Sequence, residues 1–159
     1  MVTARKFIIM QLLRTNSSHP LFLELAKLLN QELNTRYGAI QADYDQYNSF
    51  DTPVDVLLMI NNDQQAVACG ALRGLEHQNW VEMKRVFVHP NHRGQGHSKQ
   101  IVQALEIWAG EQGFDAIVLE TGKRLFEAVQ LYKNMQYKII DNYPPYRDLP
   151  HSICTVSYT

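Results

Sequence analysis

Apolar residues along the chain recur at two spacings, and where one gives way to the other the elements can be drawn. Residues 7–13 (FIIMQLL) form a short apolar run interrupted by Gln11, which predicts a first strand. Pro20 suits the first turn of a helix. Leu21, Leu25, Leu28, Leu29 and Leu33 then fall on one helical face, for which packing is the ordinary explanation, and Gly38 marks the stop. Residues 38–53 (GAIQADYDQYNSFDTP) are polar and aromatic and predict a short helix or a loop, a kind of segment that can line a pocket. Residues 54–60, 66–75 and 81–88 read as three strands separated by the turn signals NNDQ and EHQN, an antiparallel meander.

Beyond the meander the spacing returns to helical. Ile101, Leu105, Trp108 and Gln112, flanked by Val102 and Ala109, predict a helix from Ser98 to Gln112 that ends near Gly113. AIVLET (116–121) is a fifth strand, and Leu125, Ala128, Val129, Tyr132 and Met135 mark a further amphipathic helix. Residues 137–140 and 152–158 close the chain as strands around the loop YPPYRDLPH. Strands and helices in this order, without repeats or a low-complexity linker, predict a mixed α/β arrangement on one central sheet. The 159 residues are enough for one domain with a real core and too few for two of ordinary size, so residues 1–159 are expected to be a single domain.

Composition narrows the partners. With 45% hydrophobic and 19% charged residues and a formal net charge of −1, the chain has neither the signature of disorder nor a field that would draw it to nucleic acid or an anionic membrane. Any anion site must therefore be local. The N-terminal apolar run is too short and lacks a cleavage site, and no run of about 18 apolar residues occurs, which points to a soluble, cytoplasmic protein. Cys69 and Cys154 lie in strand-like stretches outside any metal-ligand spacing and read as buried thiols.

The local anion site has one candidate, VFVHPNHRGQGHSK, where a buried strand runs into a basic loop with two glycines immediately before a helix. A dinucleotide fingerprint would need a third glycine where Lys99 stands, and GxxxxGK[ST] is absent. What remains is a turn whose glycines let backbone N–H groups crowd one anion, helped by the unpaired amides and positive end of the following helix. Arg93 and Lys99 add charge at the rim. An ordinary surface turn would look similar, so the wider sequence has to decide. His89, His92 and His97 match no metal-ligand spacing and have no carboxylate or thiol beside them, so no metal is expected.

The wider stretch EMKRVFVHPNHRGQGHSKQIVQALEIWAGEQGFDAIVLET, followed by EAVQLYKNMQY, resembles the core of the GNAT superfamily of acetyl-CoA-dependent N-acetyltransferases. Arg93 and Gly96 fill the first two fixed positions of its [QR]-x-x-G-x-[GA] signature, with Gly94 also in its usual place. Three positions depart from the pattern: Ser98 for the last Gly or Ala, Leu125 for an Asn before the Tyr-bearing helix, and Gln136 for a Gly before the closing aromatic. The resemblance spans about residues 66–137. It implies a single central, mixed and mostly antiparallel sheet flanked by helices and splayed at the acetyl-CoA site.

The same resemblance implies roles. The CoA pyrophosphate would rest on the amides of Gly94, Gln95, Gly96, His97, Ser98 and Lys99, beside Arg93, while the pantetheine arm pairs as a pseudo-strand with Val86, Phe87 and Val88. The backbone N–H of Val86 or Val88 would polarise the acetyl carbonyl. Tyr132 aligns with the tyrosine that protonates the departing thiolate, and its other reading is a packed helix aromatic. Glu82, leading its strand, stands where family members often hold the carboxylate that takes the amine proton, and is otherwise an edge charge; Glu120 or a water is the alternative base. Covalent catalysis through Cys69 or Cys154 is the less favoured mechanism, because neither has an activating neighbour apart from His151 three residues before Cys154. Arg73, Tyr44 and Tyr146, with Tyr47 and Tyr143, flank the cleft of the resembled fold and are candidates for acceptor contacts. The expected acceptor is a small or amino-acid-like amine, with peptide amines the nearest variant and a non-catalytic acyl-CoA-binding module the competing class; a homodimer is common in families of this kind.

Overall fold

The computed structural model describes residues 8–76 and 78–159. Its elements follow one another as β1 (Gln11–Asn16), α1 (Pro20–Tyr37), a 3₁₀ turn (Gly38–Gln41), α2 (Ala42–Asn48), β2 (Asp55–Ile60), β3 (Ala66–Gly74), β4 (Trp80–Val88), a 3₁₀ turn (Pro90–His92), α3 (His97–Glu111), β5 (Ala116–Gly122), α4 (Phe126–Asn134), β6 (Lys138–Ile140) and β7 (Ser152–Tyr158). The seven strands form one sheet in the order β1-β2-β3-β4-β5-β7-β6. The meander is antiparallel as expected, and among the described pairs only β4 with β5 is parallel.

The first strand is displaced from its predicted place. Phe7 lies outside the described residues, Ile8 and Ile9 are exposed, and pairing runs from Gln11↔Ile60 to Asn16↔Asp55. Pairing with the buried β2 therefore sets the strand's position, and the densest apolar run does not. The ambiguous segment 38–53 resolves as a 3₁₀ turn followed by a short helix.

Two apolar layers hold the sheet. On one face Met59, Val67, Met83, Leu119 and the α3 residues Ile101, Val102 and Leu105 pack with Tyr132 and Tyr137. On the other, Phe22 and Leu25 of α1 meet Val56, Leu58, Ala71 and Phe87. Leu21, Leu28 and Leu29 pack against this layer, while Leu33 extends past it, and both Leu29 and Leu33 line open clefts. No helix among the described residues is long and apolar enough to cross a membrane.

The sheet opens in its middle. β4 pairs with β5 only from Trp80↔Ala116 to Met83↔Leu119, yet β4 continues to Val88 and β5 to Gly122, so the two strands part beyond Met83. A bulge contributes on the other side. Cys69 faces Phe87 and Ala71 faces Lys84, leaving two β4 residues opposite Gly70, and Arg85 takes the left-handed conformation with φ 58°. Side-chain alternation breaks there, and Lys84 and Arg85 both turn toward the α1 and α2 face.

Candidate active site

The parted strands create two adjoining clefts. One, of about 950 Å³, lies along β4 and the start of α3; the other, of about 780 Å³, lies between β4, β5 and α1. They meet at Leu29, Leu33, Val86, Leu125, Ala128 and Tyr132, which line both.

The loop cleft is built largely from backbone. Gly94 (φ 75°) and Gly96 (φ 78°) are both left-handed, a conformation that glycine adopts freely, and a Cβ on either would point into open space. Gly96 caps α3 without any side-chain hydrogen bond, so the first-turn amides stay available to a ligand. The strand offers a further donor. His89 N donates to Val67 O at 2.8 Å, which makes Ala68/Val88 a non-hydrogen-bonded pair and turns the Val88 N–H away from β3, toward the side β5 has left.

Little net charge surrounds these donors. Arg93 is clasped by Glu32 through two contacts, at 2.8 and 2.9 Å, and its Nε donates to Val88 O at 3.1 Å, so it braces strand, loop and α1 together. Arg36 is likewise paired with Glu127. Of the residues expected to bind acetyl-CoA, Val86, Phe87, Val88, Arg93, Gly94, Gly96, His97 and Ser98 line this cleft, while Gln95 and Lys99 do not. His97 is itself buried, with Nδ1 3.0 Å from Gln100 Oε1. His89 caps the short 3₁₀ turn, and among the described residues no group of three potential ligands could hold a metal.

Tyr132 sits at the junction of the clefts, and the end of α4 holds it there. Tyr137 N donates to Tyr132 O and Gln136 N to Lys133 O, both at 3.0 Å, the paired bonds of a Schellman motif. The accompanying apolar contact is between the two tyrosine rings, 5.5 Å apart and edge to face. Gln136 takes the left-handed position with φ 65°, where the resembled pattern has glycine. Leu125, in place of the expected Asn, opens α4 without a side-chain cap and instead gives the junction an apolar wall. Burial pushes the Tyr132 phenol well above its ordinary value, so the ring holds its proton.

The strand cleft changes the expected assignments. Glu82 does not end its strand in solvent. It is 1% exposed, lines neither cleft, and accepts from Arg73 Nη2 at 2.6 Å and from Tyr143 Oη at 2.8 Å. Arg73 is thus held by Glu82 and does not reach into the cleft. Tyr146, 1% exposed, also lies behind the wall, where its hydroxyl accepts from Lys84 Nζ at 2.6 Å. Of the five acceptor candidates, Arg73, Tyr44, Tyr47, Tyr143 and Tyr146, only Tyr44 lines the cleft.

Glu120, Lys84, Arg85 and Tyr37 line it as well. Glu120 accepts from Ser152 Oγ at 2.8 Å, and burial raises its carboxyl above the usual range against the opposing pull of Ser152 and Lys84. Tyr37 docks the end of α1 onto β5: its hydroxyl accepts from Arg124 N at 3.1 Å and lies where a Cβ on Gly122 would come within 1.9 Å. The two charges of KR inside an otherwise apolar strand were the readable signal for this cleft, but their direction depends on the bulge. Both cysteines are buried free thiols, with burial raising Cys69 to about 12 and Cys154 to about 11, so neither is poised as a nucleophile.

Comparison with known proteins agrees with this architecture. The Acetyltransferase (GNAT) family model matches residues 22–137. The chain is 25% identical over 131 residues to IAA acetyltransferase of Azospirillum brasilense, covering 82% of this chain and 86% of that protein. It is 33% identical over 63 residues to N-acetyltransferase family 8 member 2 of Rattus norvegicus, a match spanning 40% of this chain but only 28% of that protein. A structure from Klebsiella pneumoniae, assigned as an acyl-CoA N-acyltransferase, superposes with a TM-score of 0.78 at 26% identity, covering 94% of this chain and 97% of the other. A GNAT family acetyltransferase from Elizabethkingia anophelis with acetyl-CoA bound shares the fold with a TM-score of 0.67 at 16% identity, over 94% of this chain and 98% of the other.

Proposed function

The chain belongs to the acetyltransferase (GNAT) family and is an acyltransferase by that membership, and from this premise we propose that it moves an acetyl group from acetyl-CoA to a primary amine of a small acceptor by direct attack. The observation that carries the reading is the meeting of the two clefts at Tyr132, one rich in free backbone donors and the other holding the half-buried carboxylate of Glu120. Acetyl-CoA would supply the activated thioester, whose acyl carbon gains a C–N bond as its C–S bond breaks.

The chain's own groups divide the work. The first-turn amides of α3 and the two left-handed glycines would hold the pyrophosphate without ordering long side chains, each of which costs up to about 2 kcal/mol of rotamer freedom. The outward N–H of Val88 or the N–H of Val86 beside the bulge would polarise the acyl oxygen. Tyr132 would give its proton to the departing sulfur and be reprotonated from solvent. Glu120 takes the place expected of Glu82 as acceptor of the amine proton, directly or through water, because it faces the cleft that Glu82 does not. A raised carboxyl suits this role, since a base works best with a pKa near the operating pH.

The test is release of free thiol from acetyl-CoA with a panel of small amines. Wild-type protein is expected to turn over at least one of them, and Tyr132→Phe to lose about 10²–10⁴-fold in kcat with acetyl-CoA binding kept. Binding without turnover across the panel would replace this reading with a non-catalytic acyl-CoA-binding module, and turnover of peptide amines alone would move the acceptor class.

A further inference from the structure

The strand cleft carries more buried positive charge than its own carboxylates neutralise. Lys84 is 8% exposed and Arg85 9% exposed, and both line the cleft. Glu82 is the nearest buried anion, but it is committed to Arg73 at 2.6 Å and stands 3.8 Å from Lys84 Nζ, beyond hydrogen-bond reach. The Lys84 ammonium has three donors and uses one, on Tyr146 Oη at 2.6 Å, with the Tyr146 ring 5.3 Å away. Arg85 donates to Ala26 O at 3.0 Å and Asn30 Oδ1 at 2.6 Å, and among the described residues no carboxylate is within ion-pair distance of it. Arg73, Lys84 and Arg85 therefore share Glu82 and Glu120, with the exposed Asp45 of α2 a further carboxylate near enough for its charge to act on Arg85.

A buried cation is costly unless it is paired, and chains rarely keep two in succession without a partner. Here the bulge at Arg85 is what brings them to one face, since regular alternation would have sent one through the sheet. What neither residue has is a carboxylate within hydrogen-bond distance, and an anion entering with the ligand would supply one. Leu29, Leu33 and Met83 wall the cleft together with the polar Gln41, Tyr44, Asn48, Thr121 and His151, and Glu120 lies close enough to Lys84 for their charges to interact.

Resting on the acetyltransferase reading above, we infer that the acceptor is a small amine that also carries a carboxylate, with its amine toward Glu120 and Tyr132 and its carboxylate on Lys84 beside Arg85. This is an amino-acid geometry, with a short separation between the two charged ends. Lys84 is then a specificity-determining residue: it acts on acceptor binding and leaves acetyl-CoA alone. A simple amine of the same shape would leave Lys84 with only its longer contact to Glu82 at 3.8 Å, and a polyamine would add cations to an already positive cleft.

Matched pairs test this directly: phenylalanine against phenethylamine, and leucine against isoamylamine, with acetyl-CoA and thiol release as the readout. The carboxylate-bearing member of the preferred pair is expected to have at least a tenfold higher kcat/KM. Lys84→Met should erase that preference through KM, with the KM for acetyl-CoA little changed, and Lys84→Arg should restore part of it. The wild-type comparison needs no variant and stands even if Lys84→Met folds poorly. Equal or better use of the decarboxylated amines, or a preference that survives Lys84→Met, overturns the carboxylate assignment while leaving the acetyltransferase reading in place. If no amine of either kind releases thiol although acetyl-CoA raises the melting temperature, the transferase reading falls and this inference with it.

Discussion

At the scale of single residues, the site turns on which of two glutamates, the buried Glu82 or the half-buried Glu120, is free to act. Glu82 and Glu120 lie on adjacent strands, yet Glu82 is enclosed by Arg73, Tyr143 and Lys84, whereas Glu120 has one hydroxyl partner and an open side. Composition and spacing made them equivalent; their partners come from β3 and from the loop before β7, and no local signal carries that. The distinction has a measurable sign. Burial raises the folded-state pKa of Glu120, so the unfolded chain gives up this proton first as the pH rises. Its contribution to stability is therefore complete below the ordinary carboxylate range and is lost as the pH rises through the raised value. Glu120→Gln keeps an acceptor for Ser152 and removes the buried charge, so it should melt at a higher temperature than wild type at neutral pH and close to it at acid pH. The same variant is expected to lose about 10²–10⁴-fold in kcat. A melting series across pH, run beside the thiol assay, checks both halves, and a variant less stable at neutral pH would contradict the burial argument.

At the scale of elements, α4 was readable from its periodicity, but its ending was not. The resembled pattern has glycine where Gln136 stands, and the chain keeps the Schellman geometry regardless, with Gln136 in the left-handed region at φ 65°. A non-glycine residue there costs about 1–2 kcal/mol in local sterics. Gln136→Gly is expected to stabilise the protein by about 0.5–1 kcal/mol, part of the strain relief being offset by the greater freedom of glycine in the unfolded chain. Because the motif already fixes Tyr132 against Tyr137, activity should stay within about twofold of wild type; urea unfolding and the thiol assay read the two quantities. The first strand teaches a related lesson. Its apolar residues pointed to 7–13, but a strand lies where its partner is, and β2 begins at Asp55.

At the scale of the whole molecule, the functional feature is an interruption: the ladder between β4 and β5 stops at Met83↔Leu119, and two clefts open beyond it. Binding at such a site is linked to folding. Acetyl-CoA at a hundredfold excess over its dissociation constant is expected to stabilise the protein by about 2.7 kcal/mol. For a chain of this size that is a rise of roughly 5–10 °C in melting temperature, and scanning fluorimetry with a ligand titration would show it. An unchanged melting temperature would remove the CoA site. The order of elements, the glycine loop before α3 and Tyr132 on the closing helix were all determined by the sequence, because periodicity, glycine conformation and motif spacing are local properties that the chain carries with it. Which carboxylate faces the cleft, that Arg73 and Tyr146 are held behind its wall, and that Lys84 and Arg85 share one face were decided only by the tertiary structure. Each of these depends on strand register, a bulge and a parting of strands, which arise when segments distant in sequence pair, and so have no signature within any one of them.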